Sequence, residues 1–281
     1  MKVKYIFSSR RTGRIIGGNQ HKEAYPKIVR DVIETSDIIL EILDARFVEK
    51  TRNRDIERLI ISKGKILVYV LNKSDLVDMR KLKEEAQILK LEPCVMFSAR
   101  DRVGGRKLRD RIKMEAKKIK GFQRVRVGII GYPNTGKSSI INLLAGRSVA
   151  GTSAQSGFTK GIQKIRLTKD ILLLDTPGVI PDDEATNMGI NRMSLKKQAE
   201  IGVKNYDRVK EPEMIVHILM QEYAGVFEDY YGFETEGDSE ALLEGLGRKN
   251  NFLKKGAVVD TDRTARWILR DWQEGKIRIR K

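Results

Sequence analysis

Val125-Arg126-Val127-Gly128-Ile129-Ile130-Gly131-Tyr132-Pro133-Asn134-Thr135-Gly136-Lys137-Ser138 decides the fold of this chain. An apolar, β-branched run leads into G-x-x-x-x-G-K-S, and a helical pattern continues from Gly136 to Ala145. Strand, glycine-bounded loop and helix in that order are the context a phosphate-binding loop requires. The glycines let the backbone wrap closely enough for several N–H groups to meet phosphate oxygens. The helix N-terminus adds partial positive charge. Residues Thr135, Gly136, Lys137, Ser138 and Ser139 would line the phosphates, with Lys137 bridging β and γ and the Ser138 hydroxyl ligating Mg²⁺.

Outward from the loop, short apolar runs alternate with helical patterns between about His21 and Asp175. Asp37–Leu43, Lys65–Leu71, Pro93–Phe97, Val125–Ile130 and Ile171–Leu174 read as strands. Asn53–Ile61, Met79–Leu89, Gly105–Lys120 and Gly136–Ala145 read as helices. Such alternation predicts an α/β fold, a mostly parallel sheet with helices on both faces. Ile66 to Leu71 is apolar throughout, as a strand covered on both sides should be. Beyond Gly178 the pattern changes. Pro181-Asp182-Asp183 reads as a linker, followed by helical text at Ser194–Val203, Glu211–Tyr231, Ser239–Leu246 and Thr261–Gln273. The expected organisation is a sheet domain over 1–183, with a basic arm at 1–20, and a smaller all-helical domain over 184–281.

Three further motifs fall at strand ends. Asp175-Thr176-Pro177-Gly178 follows the last apolar run. Asp175 there can hold Mg²⁺ through water, and Gly178 leaves a backbone N–H free to meet a γ-phosphate. Asn72-Lys73-Ser74-Asp75 closes the run at 65–71. The Asp75 carboxylate can accept the N1–H and N2 amine of guanine, two donors that adenine lacks. The Lys73 stem can pack on the base, and Asn72 can tie neighbouring loops together. After the next strand, Ser98-Ala99-Arg100 would order a loop and offer the Ala99 N–H to guanine O6.

Charge and composition narrow the partners. The 281 residues carry a net charge of +17, which favours a polyanionic partner. Basic residues cluster between Arg102 and Lys120 and again between Arg263 and Lys281. No apolar run reaches the roughly 20 residues a membrane span needs, and no lipidation motif accompanies the charge, so nucleic acid is favoured over membrane. Cys94 is the single cysteine, so no intrachain disulfide forms. A cytoplasmic monomer is expected.

The motif order is unusual. The guanine-reading N-K-S-D and S-A-R precede the phosphate loop, whereas ordinary small GTPases carry them after D-x-x-G. With Asp44-Ala45-Arg46, Arg52-Asn53 and the tail Thr261-Asp262-Arg263-Thr264-Ala265-Arg266, the set resembles the circularly permuted ribosome-assembly GTPases of the YlqF/YawG type. The resemblance implies GTP/GDP and Mg²⁺ as ligands, hydrolysis that is slow without an activator, and docking on the large ribosomal subunit precursor and its RNA. It implies that Thr159, with Thr152 as the alternative, joins Ser138 and Asp175 on Mg²⁺. It further implies a potassium ion near Asn134 and a hydrolytic role for His21. Val179 stands where many GTPases carry a water-orienting glutamine. Two other functions remain open: a stand-alone GTP-dependent phosphoryl-transfer enzyme, and an RNA-binding protein that uses nucleotide only for stability.

Overall fold

The computed structural model describes residues 29–119, 124–145, 163–167, 170–175, 197, 199–202 and 206–279. Six strands form one sheet in the order β3-β2-β1-β4-β6-β5. They are β1 (Ile38–Asp44), β2 (Ile66–Asn72), β3 (Cys94–Met96), β4 (Val125–Ile130), β5 (Gln163–Arg166) and β6 (Ile171–Asp175). All neighbours pair in parallel except β5, which runs antiparallel to β6 at the edge. The α/β class expected from the sequence is the one observed.

The central strand explains why its sequence lacks polar alternation: all seven residues of β1 are buried. Ile38, Leu40 and Ile42 join a core with Leu108 and Ile112 of α5 (Gly105–Lys118) and Ile140, Ile141 and Leu144 of α6 (Lys137–Ala145). Ile39 and Leu43 join the opposite core. That one includes Val32 and Ile33 of α1 (residues 29–35), Ile60 of α3 (Arg54–Ser62), and Leu82 and Ala86 of α4 (Met79–Ile88). A one-turn helix, α2 (Val48–Thr51), links β1 to α3. Side-chain caps set the helix starts, with Asn53 accepting from the Ile56 N–H and Asp78 from Arg80 and Lys81.

The C-terminal region departs from its expected form in two places. The single helix anticipated over 211–231 is two, α7 (Pro212–Glu222) and α8 (Val226–Tyr231). They separate at Gly225, whose φ of +77° ends helical geometry. The region is also not all-helical. Between α9 (Ser239–Lys249) and α10 (Thr261–Gln273) lies a hairpin of β7 (Leu253–Lys254) and β8 (Val258–Val259). Two-residue strands are too short for alternation to be read. The helices pack around Trp272, which is fully buried with Leu219, Phe227, Leu242 and Ile268. Phe47 and Tyr132, from the sheet side, belong to the same core.

A buried carboxyl cluster sits beneath α3. Glu57 takes a two-point contact from Arg52 at 2.8 and 2.6 Å and the Tyr69 hydroxyl at 3.0 Å. Beside it, Glu41 of β1 accepts the Asn53 N–H at 3.0 Å. Burial, reinforced by the Glu57 charge, pushes the Glu41 carboxyl from 4.5 up to about 8. The folded chain therefore holds a proton there that the unfolded chain has released. Stability from this group is complete below about pH 4.5 and is lost as pH rises toward 8. Glu41→Gln should flatten that decline, whose slope is at most about 1.4 kcal/mol per pH unit. Urea unfolding of the variant and the parent across this range checks it, and parallel profiles would refute it.

Candidate functional site

In an open parallel sheet, ligands bind beyond the carboxyl ends of the strands, where the strand order reverses. Here that point lies between β1 and β4. The chain leaves β1 toward β2 and β3, and leaves β4 toward β6. The motifs converge on this edge. Asp44 and Asn72 are register partners at the ends of β1 and β2, and Asp175 pairs with Ile129 beside the start of the phosphate loop.

The loop between β4 and α6 is shaped by close approach. Gly131 has φ of +150°, and a Cβ there would come within 2.6 Å of the Ile42 carbonyl. Gly136 has φ of +93°, and a Cβ there would collide with the Asn72 side-chain amide. Both positions need glycine on steric as well as conformational grounds. The loop is closed from within by the Thr135 hydroxyl donating to the Tyr132 carbonyl at 2.9 Å. Lys137 is buried, its ammonium donating to the carbonyls of Tyr132 at 2.7 Å and Gly131 at 3.1 Å. Ser138 and Ser139 open α6 and are half-buried.

Asn72 joins three loops. Its Nδ2 donates to the Thr135 carbonyl at 2.7 Å, and its Oδ1 accepts the Ala99 N–H at 3.2 Å. The Ala99 N–H, expected to face guanine O6, is thus engaged with Asn72. Ser74 ties to the Phe97 carbonyl through both N–H and hydroxyl. Ser98 accepts the Asp101 N–H at 3.0 Å and exchanges backbone bonds with Val103. Within this satisfied framework, the half-buried Asp75 carboxylate accepts no hydrogen bond from any described residue.

Around these motifs runs a set of ion pairs and backbone contacts that no motif announces. Asp44 receives Arg46 through Nε and Nη2 at 3.0 and 2.8 Å, and Lys73 Nζ lies 2.9 Å from its Oδ2. Burial alone would raise the Asp44 carboxyl, but Arg46 and Lys73 overcome it and hold the group well below the usual carboxylate range. Burial pushes the Lys73 ammonium below its ordinary range, with Asp44 opposing. Cations on this edge also hold backbone carbonyls of the turn ending α10. Arg46 donates to Trp272 at 3.0 Å, Lys73 to Gln273 at 3.3 Å and Arg100 to Gly275 at 3.3 Å. The Asn134 amide, in the phosphate loop, donates to the Gly202 carbonyl at 2.5 Å. Lys50 meets the buried Glu200 at 2.7 Å. An aspartate closing an apolar strand was a readable signal for Asp44. Backbone carbonyls of a distant turn leave none.

Several expected site residues lie outside the described residues: His21, Thr152, Thr159, Gly178 and Val179, with the segment 176–196. Of the three Mg²⁺ ligands named from the sequence, Ser138 sits at the start of α6 and the Asp175 backbone ends β6. Among the described residues no group of three acidic, histidine or cysteine side chains forms a metal cluster. The donor set at this edge fits a nucleotide better than an isolated ion, combining a glycine-shaped anion loop with a carboxylate that has no hydrogen-bond partner among the described residues.

The family described as 50S ribosome-binding GTPase matches residues 126–237. A GTP-binding protein of Methanocaldococcus jannaschii is 40% identical over 259 residues, covering 91% of this chain and 66% of that protein. Nucleolar GTP-binding protein 2 of Neurospora crassa is 34% identical over 251 residues, covering 88% of this chain and 40% of that protein. The chain thus spans between two-fifths and two-thirds of the length of these curated relatives. Among solved structures, YlqF of T. maritima, crystallised with GNP, superposes with a TM-score of 0.58 at 23% identity, covering 90% of this chain and 96% of that one. At that identity the likeness speaks for the fold.

Proposed function

We propose that this chain is a circularly permuted P-loop GTPase of the YlqF/YawG type, a GTP-hydrolysing switch acting on the large ribosomal subunit precursor; the match to the 50S ribosome-binding GTPase family over residues 126–237 and the 40% identity to the Methanocaldococcus jannaschii GTP-binding protein support it. The observation that carries the guanine assignment is Asp75. A half-buried carboxylate without a hydrogen-bond partner among the described residues, set among loops that satisfy one another, matches the two donors on the guanine edge. In this reading Lys73 packs on the base, oriented by Asp44. Asn72, Ser98, Ala99 and Arg100 hold the base-reading loops. The backbone from Asn134 to Ser139 cradles the phosphates, and Lys137 exchanges its two loop carbonyls for phosphate oxygens.

Ser138, Thr159 and Asp175 would hold Mg²⁺, which neutralises charge on the β- and γ-oxygens when bound. A water attacks the γ-phosphorus and GDP leaves. No glutamine follows Gly178, so intrinsic turnover is expected to be slow, with His21 the residue assigned to the stimulated step. Asn134 keeps an amide oxygen of the right chemistry for a monovalent cation. The contacts from Arg46, Lys73, Arg100 and Asn134 to the C-terminal region support a switch whose helical part responds to nucleotide.

GTP hydrolysis with and without purified large ribosomal subunits, in potassium and then in sodium, tests the proposal. Subunits should raise turnover at least roughly tenfold, toward the roughly 10³–10⁵-fold that activators give other GTPases, and potassium should exceed sodium. Fast turnover indifferent to particles would place complete chemistry in this chain and refute the ribosome-coupled reading.

A further inference from the structure

The sequence carries two basic clusters, and the structure treats them differently. In the tail, Arg266 is engaged with Asp262 at 2.7 Å and with the carbonyls of Tyr206 and Val209 at 2.7 and 3.1 Å. Lys276 is paired with Asp271 at 2.8 Å and Glu274 at 2.9 Å. Arg263 lies over the Phe252 ring at 4.4 Å. These cations hold the helical region together.

On α5 three cations are likewise engaged. Arg109 donates to the carbonyls of Leu143 and Leu144 at the end of α6, and Arg111 and Lys118 flank the buried Glu115. The others are not. Lys107, Lys113 and Lys117 are exposed and form no ion pair among the described residues, as is Arg102 in the preceding loop. The Arg106 side chain is 96% exposed, with only a 3.9 Å approach to Asp110. Helical spacing sets Arg106, Lys113 and Lys117 in one row, i, i+7 and i+11, and Lys107 in the neighbouring row. The row runs about 16 Å at 1.5 Å per residue, long enough to follow several phosphates of one strand.

We propose that the outer face of α5, with Arg102 at its head, is the surface that docks structured RNA through its phosphates. The inference rests on the ribosome-docking reading. Charge complementarity commits the occupant: exposed cations in a row, Lys113 and Lys117 without an ion pair among the described residues and Arg106 approached only by Asp110, with no apolar stripe for a membrane, since Val103 and Met114 are the large apolar side chains exposed along it among the described residues. The position gives docking a way to the nucleotide. The helix begins where the Ser98–Val103 loop ends, and Arg109 grips the far end of the helix that opens at Lys137.

The test compares the parent chain with Lys107→Gln/Lys113→Gln/Lys117→Gln and with a control, Lys254→Gln/Lys255→Gln. Binding to a structured RNA hairpin and to purified large ribosomal subunits is followed by fluorescence anisotropy across salt. GDP binding serves as the check on folding. The triple variant should bind GDP like the parent, lose roughly tenfold or more in RNA affinity, and show a log K against log salt slope lower by about 2. The control should match the parent. If the parent binds RNA and the triple variant binds it equally, the face is wrongly assigned while the ribosome reading stands. If the parent binds neither hairpin nor subunit, both fall. If the parent binds anionic vesicles instead and the triple variant loses that, the partner class is overturned.

Discussion

Asp75→Asn should raise the Kd for GDP by about a thousandfold and move preference toward xanthosine diphosphate. The carboxylate would make two charge-assisted hydrogen bonds to guanine, each worth roughly 1.5–3 kcal/mol. The isosteric amide keeps the loop shape but turns a donor toward a donor. Xanthine replaces the exocyclic amine with a carbonyl, which the new Asn amide can satisfy. Asp75 has no hydrogen bond to lose among the described residues, so the fold should be indifferent to the change. Competition of a fluorescent GDP analogue by GDP and by xanthosine diphosphate reads the result directly. Retained guanine preference would remove Asp75 from the base-reading role and with it the main support for the guanine assignment.

Trp272→Ala should destabilise the C-terminal region by about 3–5 kcal/mol, the range for deleting a buried aromatic. The indole is fully buried, packs 5.4 Å from Phe227 and 5.1 Å from Tyr223, and donates Nε1–H to the Glu200 carbonyl at 3.1 Å. It is also 5.9 Å from Phe47, on the sheet side. The loss should therefore loosen both the helical core and its seat on the sheet edge. Urea unfolding should split into two transitions, with the helical one first, and Trp272→Phe should restore most of the midpoint. A single transition displaced by less than about 1 kcal/mol would show that this core is not what holds the region in place.

The legible and illegible parts of this chain divide along physical lines. The runs at 66–71 and 125–130 announced buried parallel strands because nothing on either face needed to be polar. Thr261–Gln273 was readable to the residue because Asp260 caps it and Ala265, Ile268, Leu269 and Trp272 recur on one face. β5 escaped notice because Gln163-Lys164-Ile165-Arg166 is an antiparallel edge strand, mostly polar, with little apolar signal. At the site, the phosphate loop and the N-K-S-D loop were visible as motifs because their chemistry resides in side-chain identity and glycine spacing. Asp44, closing an apolar strand, and Arg46 are visible as residues, but their ion pairing with each other and with Lys73 is a fact of register between β1 and β2 that sequence does not carry. The carbonyls of Trp272, Gln273 and Gly275 carry no side-chain signature, so their hold on Arg46, Lys73 and Arg100 became apparent only with the fold.

The Arg46–Trp272 contact spans 226 positions along the chain. During synthesis a chain that has emerged through α6 already carries the N-K-S-D, S-A-R and phosphate loops. Asp44 and the Phe47 ring are in place for the Arg46 guanidinium, but the Trp272 carbonyl that takes its third nitrogen and the indole on its other side are still unmade. Closing so long a loop comes late and slowly. The sheet half of a nascent chain therefore carries this ion pair with one guanidinium nitrogen still to be met, and the final turn of α10 supplies its last partner.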